Sequence, residues 1–155
     1  MAGKIDARLA ELGVELPTAM APIANYVPFA VSGSLVVVSG QVPAKDGKIA
    51  VTGKVGETLT VEEGQAAARL CLLNVLTHLR TACGGDLDRV VRVVRLGGFV
   101  ACPAGFTQHA LVMNGASNLA VEVFGEAGRH ARTTIGVPSL PADAAVEVEG
   151  MFEIS

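Results

Sequence analysis

Tryptophan is absent and tyrosine occurs once, at position 26, so aromatic side chains make up only 4% of the 155 residues. Basic residues are outnumbered as well: 12 Lys and Arg stand against 15 Asp and Glu, a formal charge of −3. A polyanion finds no electrostatic footprint on such a chain. Arg89, Arg92 and Arg95 are the one spaced basic set. On a strand they alternate between faces, and no aromatic interleaves them to stack bases. Nucleic acid is therefore not expected as a partner. Cysteine is scarce too, with Cys71, Cys83 and Cys102 far apart, which suits reduced thiols in a cytoplasm better than a disulfide framework or a zinc site. His78, His109 and His130 have no acid or thiol at ligand spacing, so no metal site is expected. A Cys–His nucleophile pair would need its members to meet in space. No glycine-rich phosphate loop occurs. No apolar run approaches the roughly 20 residues that cross a bilayer, and the mixed charges of the first turns lack the core of a secretory signal. Membrane partners and export are not expected.

What the chain has instead is apolar bulk. Half of its residues are hydrophobic and only 17% are charged, with a mean hydropathy of +0.47, against about 25% charged residues in ordinary soluble domains. Too few polar side chains remain to coat a lone monomer. A buried interface in a homo-oligomer resolves the shortage. The length fits a single domain, residues 1–155, with 1–20 as an N-terminal helical extension.

Ile5, Leu9 and Leu12 recur at helical spacing from Lys4 to about Gly13. Tyr26 to Val31 and Leu35 to Ser39 read as a hairpin across Ser32-Gly33-Ser34, and Lys45-Asp46-Gly47-Lys48 reads as a turn into a brief strand. Thr60-Val61-Glu62-Glu63 is a capping box, opening a long helix that Gly84-Gly85 stops. The spacing of Ala66, Leu70 and Leu73, with Ala67, Cys71 and Val75, predicts a wide apolar face on it. Valine-dense Asp88 to Val100 predicts a strand buried partly on both faces. A second helix follows at about Thr107 to Val123, interrupted in its pattern by Asn114-Gly115. Two strands, about Thr133 to Val137 and Ala144 to Ile154, close the chain. This order predicts an α+β two-layer domain, a mixed sheet with two long helices on one face.

Four residues invite a chemical reading. Arg132 opens an apolar strand, where a solvated edge charge is the ordinary meaning. A guanidinium there can instead grip a carboxylate through its planar two-pronged edge. Glu147 shares a strand face with Glu149 and Glu153, as solvated carboxylates would, yet a positioned carboxylate can also orient or deprotonate water. Tyr26 could be a buried strand tyrosine or pack over a ligand. Gly40, in Ser39-Gly40-Gln41-Val42-Pro43, serves either a turn or a close backbone approach to a ligand.

The cassette Arg132-Thr133-Thr134-Ile135-Gly136-Val137-Pro138-Ser139-Leu140-Pro141, the later Val146-Glu147-Val148-Glu149, Tyr26 and the Ser-Gly-Gln-Val-Pro motif together resemble the YjgF/RidA family over roughly Ile23 to Ile154. The resemblance implies a chorismate-mutase-like fold, assembled as a homotrimer with three clefts between subunits. It implies a hydrolase of reactive enamine and imine acids that releases ammonia and a keto acid and needs no cofactor. Arg132 would bind the substrate carboxylate and Glu147 would align water. Tyr26, Gly40, Thr134 and a helix asparagine would line the cleft, Asn114 being favoured over Asn118. Two departures stand out: Thr134 occupies the place of a cysteine in deaminating members, and Ala24-Asn25 replaces the usual Gly-Pro before Tyr26. Thr134 and the open choice of asparagine keep open a non-catalytic module that binds a small carboxylate in the same cleft. The endoribonuclease label carried by some relatives conflicts with the acidic charge balance.

Overall fold

Thr60 begins the longest helix by reciprocal capping. Its Oγ accepts from the Glu63 amide at 3.1 Å while the Glu63 carboxylate accepts from the Thr60 amide at 2.7 Å, satisfying two otherwise orphaned donors. The computed structural model describes residues 2–155. The first helix, α1, is Lys4–Glu11; the capped helix, α2, runs Val61–Ala82; a third, α3, runs His109–Phe124. The α2 helix ends where Gly84 and Gly85 take φ of +69° and +97°, so that their amides reach back to the carbonyls of Thr81 and Arg80. Its core stripe is Ala67, Ala68, Cys71, Leu72, Val75, Leu76 and Leu79. The stripe is turned slightly from the expected face, and Ala66 is exposed.

Gly115 lies inside α3 as a helical residue. A Cβ there would collide with the Gln65 backbone of α2, so the Asn-Gly pair marks a close helix approach rather than a break. Both helices cover one face of a five-stranded sheet. In chain order its strands are β1 Phe29–Ser32, β2 Leu35–Gln41, β5 Val90–Ala101, β6 Ala131–Val137 and β7 Val146–Ile154; β3 Ala44–Lys45 and β4 Lys48–Ile49 form a separate hairpin. The spatial order is β1-β2-β7-β5-β6. Only β5 and β6 pair in parallel, with α3 as their crossover. This is the expected α+β architecture.

Two local expectations change. The first strand starts at Phe29 rather than Tyr26; Tyr26 sits in a bend and is half exposed. The partial burial on both faces expected of β5 is found in its second half, where Leu96, Gly97, Gly98, Val100 and Ala101 are buried, while Val91 and Val94 in its first half are exposed. Arg92 and Arg95 do not alternate faces: register shifts in β5 set them opposite Glu153 and Met151, which share one face of β7. There Arg95 pairs with Glu149 at 3.3 Å. Arg89 precedes β5 and donates to the carbonyls of Ser155 and Cys83, a structural tie.

The helix-side core is Val36, Val38, Val93, Leu96, Val100, Val146, Val148 and Phe152. On the uncovered face Val37, Ile135 and Met151 lie among Glu147, Glu149 and Glu153. The α1 helix docks through its first amides, with Lys4 and Ile5 donating to Asp88 at 2.8 and 2.7 Å. Those bonds hold the Asp88 carboxyl below its usual range. No helix is long and apolar enough to cross a membrane among the described residues.

Candidate functional site

Period-two alternation along β6 turns Arg132 and Thr134 toward α3. Arg132 Nη1 donates to Asn114 Oδ1 at 2.8 Å and to Ser117 Oγ at 3.0 Å, and Nη2 donates to the Ala110 carbonyl at 3.1 Å. A guanidinium carries five N–H donors. Three are engaged, so one on Nε and one on Nη2 have no partner among the described residues. The group is half-buried and keeps one N–H on Nε and one on Nη2, two donors of the kind that receive a carboxylate.

Asn114, not Asn118, lies beside Arg132; Asn118 is exposed. Ser117 sits one turn on from Asn114, at the i+3 spacing that shares a helix face. Its hydroxyl contacts His130 Nε2 at 2.8 Å, and His130 Nδ1 contacts the Gly128 carbonyl at 2.7 Å. A carbonyl only accepts, so Nδ1 carries the proton of the neutral ring and Nε2 accepts from Ser117. Burial, and then the Arg132 charge, push His130 below the ordinary imidazole range against the pull of the Gly128 bond. Sequence reading missed Ser117 and His130. The available signal was His-x-Arg, since residues two apart at a strand share a face.

Thr134 faces the same way as Arg132, and its hydroxyl is buried with no partner among the described residues. Opposite Thr134 in the ladder, Gly98 leaves room for Met113: a Cβ would come within 2.5 Å of its sulfur.

Glu147, Gly40 and Tyr26 gather elsewhere, around a cavity of about 110 Å³ that Pro22, Ile23 and His78 also line. Gly40 has no positive φ; a Cβ there would run into the Glu147 carboxylate. Close approach to Glu147 therefore explains this glycine better than turn geometry. Burial first, and the neighbouring Glu149 charge second, push the Glu147 carboxyl above its ordinary range.

The single chain does not unite the two groups. Arg132 pairs with Leu96 on the helix side, whereas Glu147 opposes Phe99 on the uncovered face, with β5 between their strands.

A Cys–His pair does meet in space. Cys102 Sγ lies 3.6 Å from His109 Nε2, and Phe106 packs edge-on against the imidazole at 5.2 Å. Burial pushes the Cys102 thiol up, which works against the thiolate a nucleophile needs.

Two outcomes follow from these shifts. Glu147→Gln should raise the thermal midpoint at neutral pH, because a carboxyl held above its ordinary 4.5 withdraws stability as pH rises past that value. Comparing melting curves of the two proteins across pH checks this. His78 and His130 act in the other direction. Both are lowered from 6.5 chiefly by burial, so their stabilisation is complete above 6.5 and is lost as pH falls below it toward their folded values. Denaturant titrations between pH 7.5 and 5, with His130→Gln as comparison, should show a smaller drop in the variant.

Comparison with known proteins agrees with this architecture. Residues 6–153 match the family described as "YjgF/chorismate mutase-like, putative endoribonuclease". The chain is 50% identical to TCP17 from Trypanosoma cruzi, across 99% of this chain and 96% of that protein. The crystal structure of Atu1372 from Agrobacterium tumefaciens is similar at 51% identity and TM-score 0.92, covering 97% of this chain and 92% of that one. More distantly, Escherichia coli TdcF with bound serine matches at 25% identity and TM-score 0.63, over 88% and 94% of the two chains. With the family match spanning nearly its whole length, this chain belongs to the YjgF/chorismate mutase-like family.

Proposed function

We propose that this protein hydrolyses small 2-imino and enamine acids, releasing ammonia and a keto acid, in clefts between the protomers of a homotrimer. The observation that carries the reading is the half-spent Arg132 guanidinium, fixed at Nη1 and open at Nε and Nη2. A small amino-acid-derived carboxylate fits that edge, and bound serine in TdcF is a ligand of the same class.

Arg132 and Glu147 face opposite sides of one protomer, so the working cleft sets the Arg132 group of one copy against the Tyr26, Gly40 and Glu147 cavity of the next. The exposed apolar residues Ile23, Val27, Val37 and Ile135 supply area for that contact. An enamine first takes a proton at its terminal carbon to become the imine. Glu147 then removes a proton from water as the water oxygen bonds to the imine carbon, and the nitrogen takes a proton from solvent. In the carbinolamine the Glu147 carboxyl gives its proton to the nitrogen, the carbon–nitrogen bond breaks, the hydroxyl proton returns to the carboxylate, and ammonia leaves as the carbonyl forms. A carboxyl raised above its ordinary range can both accept and return that proton. The buried Thr134 hydroxyl lies on the same strand face as Arg132 with its hydrogen-bonding capacity unspent among the described residues. No cofactor enters the scheme, because the imine is already open to water. The three cysteines are free thiols, in keeping with a cytoplasmic setting.

Ammonia and pyruvate release from freshly generated 2-aminoacrylate tests the reading, with sedimentation giving the assembly state. Turnover by a trimer supports it. Saturable pyruvate binding without turnover would replace it with a small-carboxylate binding module, a reading favoured by the threonine at position 134. RNA cleavage, the activity in the family's description, would have to occur on a chain of net charge −3; cleavage lost with Arg132→Ala would overturn the proposal.

A further inference from the structure

The Arg132 guanidinium is bound on one side by a directional chain that the reaction scheme does not use. From the Gly128 carbonyl the order is fixed: it accepts from His130 Nδ1, His130 Nε2 accepts from Ser117, and the Ser117 oxygen accepts from Arg132 Nη1. Each link leaves the next group one role only. His130, protonated at Nδ1, can offer only a lone pair at Nε2, so Ser117 spends its single hydrogen there and must turn oxygen lone pairs toward Arg132. Asn114 Oδ1 takes the other Nη1 hydrogen. Nη1 is thereby saturated by protein.

We propose that Ser117 and His130 are positioning residues that lock Nη1 of Arg132 and so select its Nε/Nη2 edge as the one that receives a planar carboxylate. The inference rests on the carboxylate-binding reading given above and adds how the fork is aimed. The end-on edge, formed by Nη1 and Nη2, is closed because both Nη1 hydrogens are committed. A lateral grip holds the carboxylate in the guanidinium plane and fixes the direction in which the attached carbon projects. Without Ser117, Nη1 regains a free hydrogen and the fork can pivot about its remaining bonds to Asn114 and Ala110. Binding would weaken because the ligand would then have to order the guanidinium itself.

The test is rotation of the Arg132 guanidinium about its Cζ–Nε bond, followed by nitrogen-detected magnetic resonance on the intact protein without ligand, together with calorimetric titration of pyruvate. The wild type should show a slowly rotating guanidinium. Ser117→Ala should accelerate rotation and weaken pyruvate binding, each by about tenfold, the equivalent of one charge-assisted hydrogen bond. Ser117→Thr, which keeps the hydroxyl, should restore both. His130→Phe should loosen the fork as Ser117→Ala does, because Ser117 loses the acceptor that orients it. Rotation unchanged in Ser117→Ala and His130→Phe overturns the lock whatever the ligand does. Faster rotation with unchanged pyruvate affinity overturns the assigned edge. A locked wild-type guanidinium released by both variants supports the lock, and if wild type then binds no pyruvate, the carboxylate reading fails by itself.

Discussion

Replacing Arg132 by alanine is expected to lower kcat/KM for 2-aminoacrylate by about 10²- to 10³-fold, the loss of two charge-assisted hydrogen bonds to a carboxylate. Stability should fall far less, by about 1 kcal/mol, because Asn114 and Ala110 are not fully buried and water can replace the guanidinium on their oxygens. Steady-state kinetics beside a thermal melt separate the two effects. Arg132→Lys is the sharper control. It keeps the charge but cannot hold Asn114, Ser117 and Ala110 while presenting a planar edge. It should recover little of the activity. Equal kcat/KM in wild type and Arg132→Ala would remove the carboxylate clamp and the reaction scheme with it.

The second large effect is structural. Gly115→Ala should destabilise the protein by about 2 to 3 kcal/mol, since the added methyl meets the Gln65 backbone of α2 and no side-chain rotation relieves it. Alanine's better helix propensity, about 1 kcal/mol, offsets part of the cost. A thermal midpoint lower by about 5 to 10 °C is expected for a domain of this size. Asn114 and Ser117 flank Gly115 on α3, so activity should drop beyond what instability explains as the helix shifts against Arg132. A midpoint equal to or above wild type would show that the helices can separate freely at this crossing.

Several elements were legible from residue pattern because their determinants are local. The Thr60 capping box and the Gly84-Gly85 stop place α2 closely. Asp46 and Gly47 adopt the positive φ of a tight hairpin between Lys45 and Lys48. Local rules misled where a distant contact decided. Asn114-Gly115 looks like a helix breaker until α2 lies across it. Arg92 and Arg95 look alternate until register shifts in β5 realign them. Tyr26 lies before the first strand because pairing with β2 begins only at Phe29, opposite Val38.

The candidate residues divide in the same way. Arg132, Glu147, Tyr26, Gly40, Asn114 and Thr134 could be named from motif positions, but a motif is one-dimensional and does not state a face. The ladder puts Arg132 and Thr134 with the helices and Glu147 with the uncovered side. Ser117 and His130 escaped because each is unremarkable alone; their meaning arises when α3 crosses back over β6.

By itself the sequence determined the α+β class, the capped and stopped α2 helix, the scarcity of charge and the residues able to do chemistry, since propensity, period and composition act within a few residues. Tertiary structure alone decided which of those residues meet. Strand register and helix crossing couple positions far apart in the chain, and they set Ser117 and His130 behind Arg132 while turning Glu147 to the other side of the sheet.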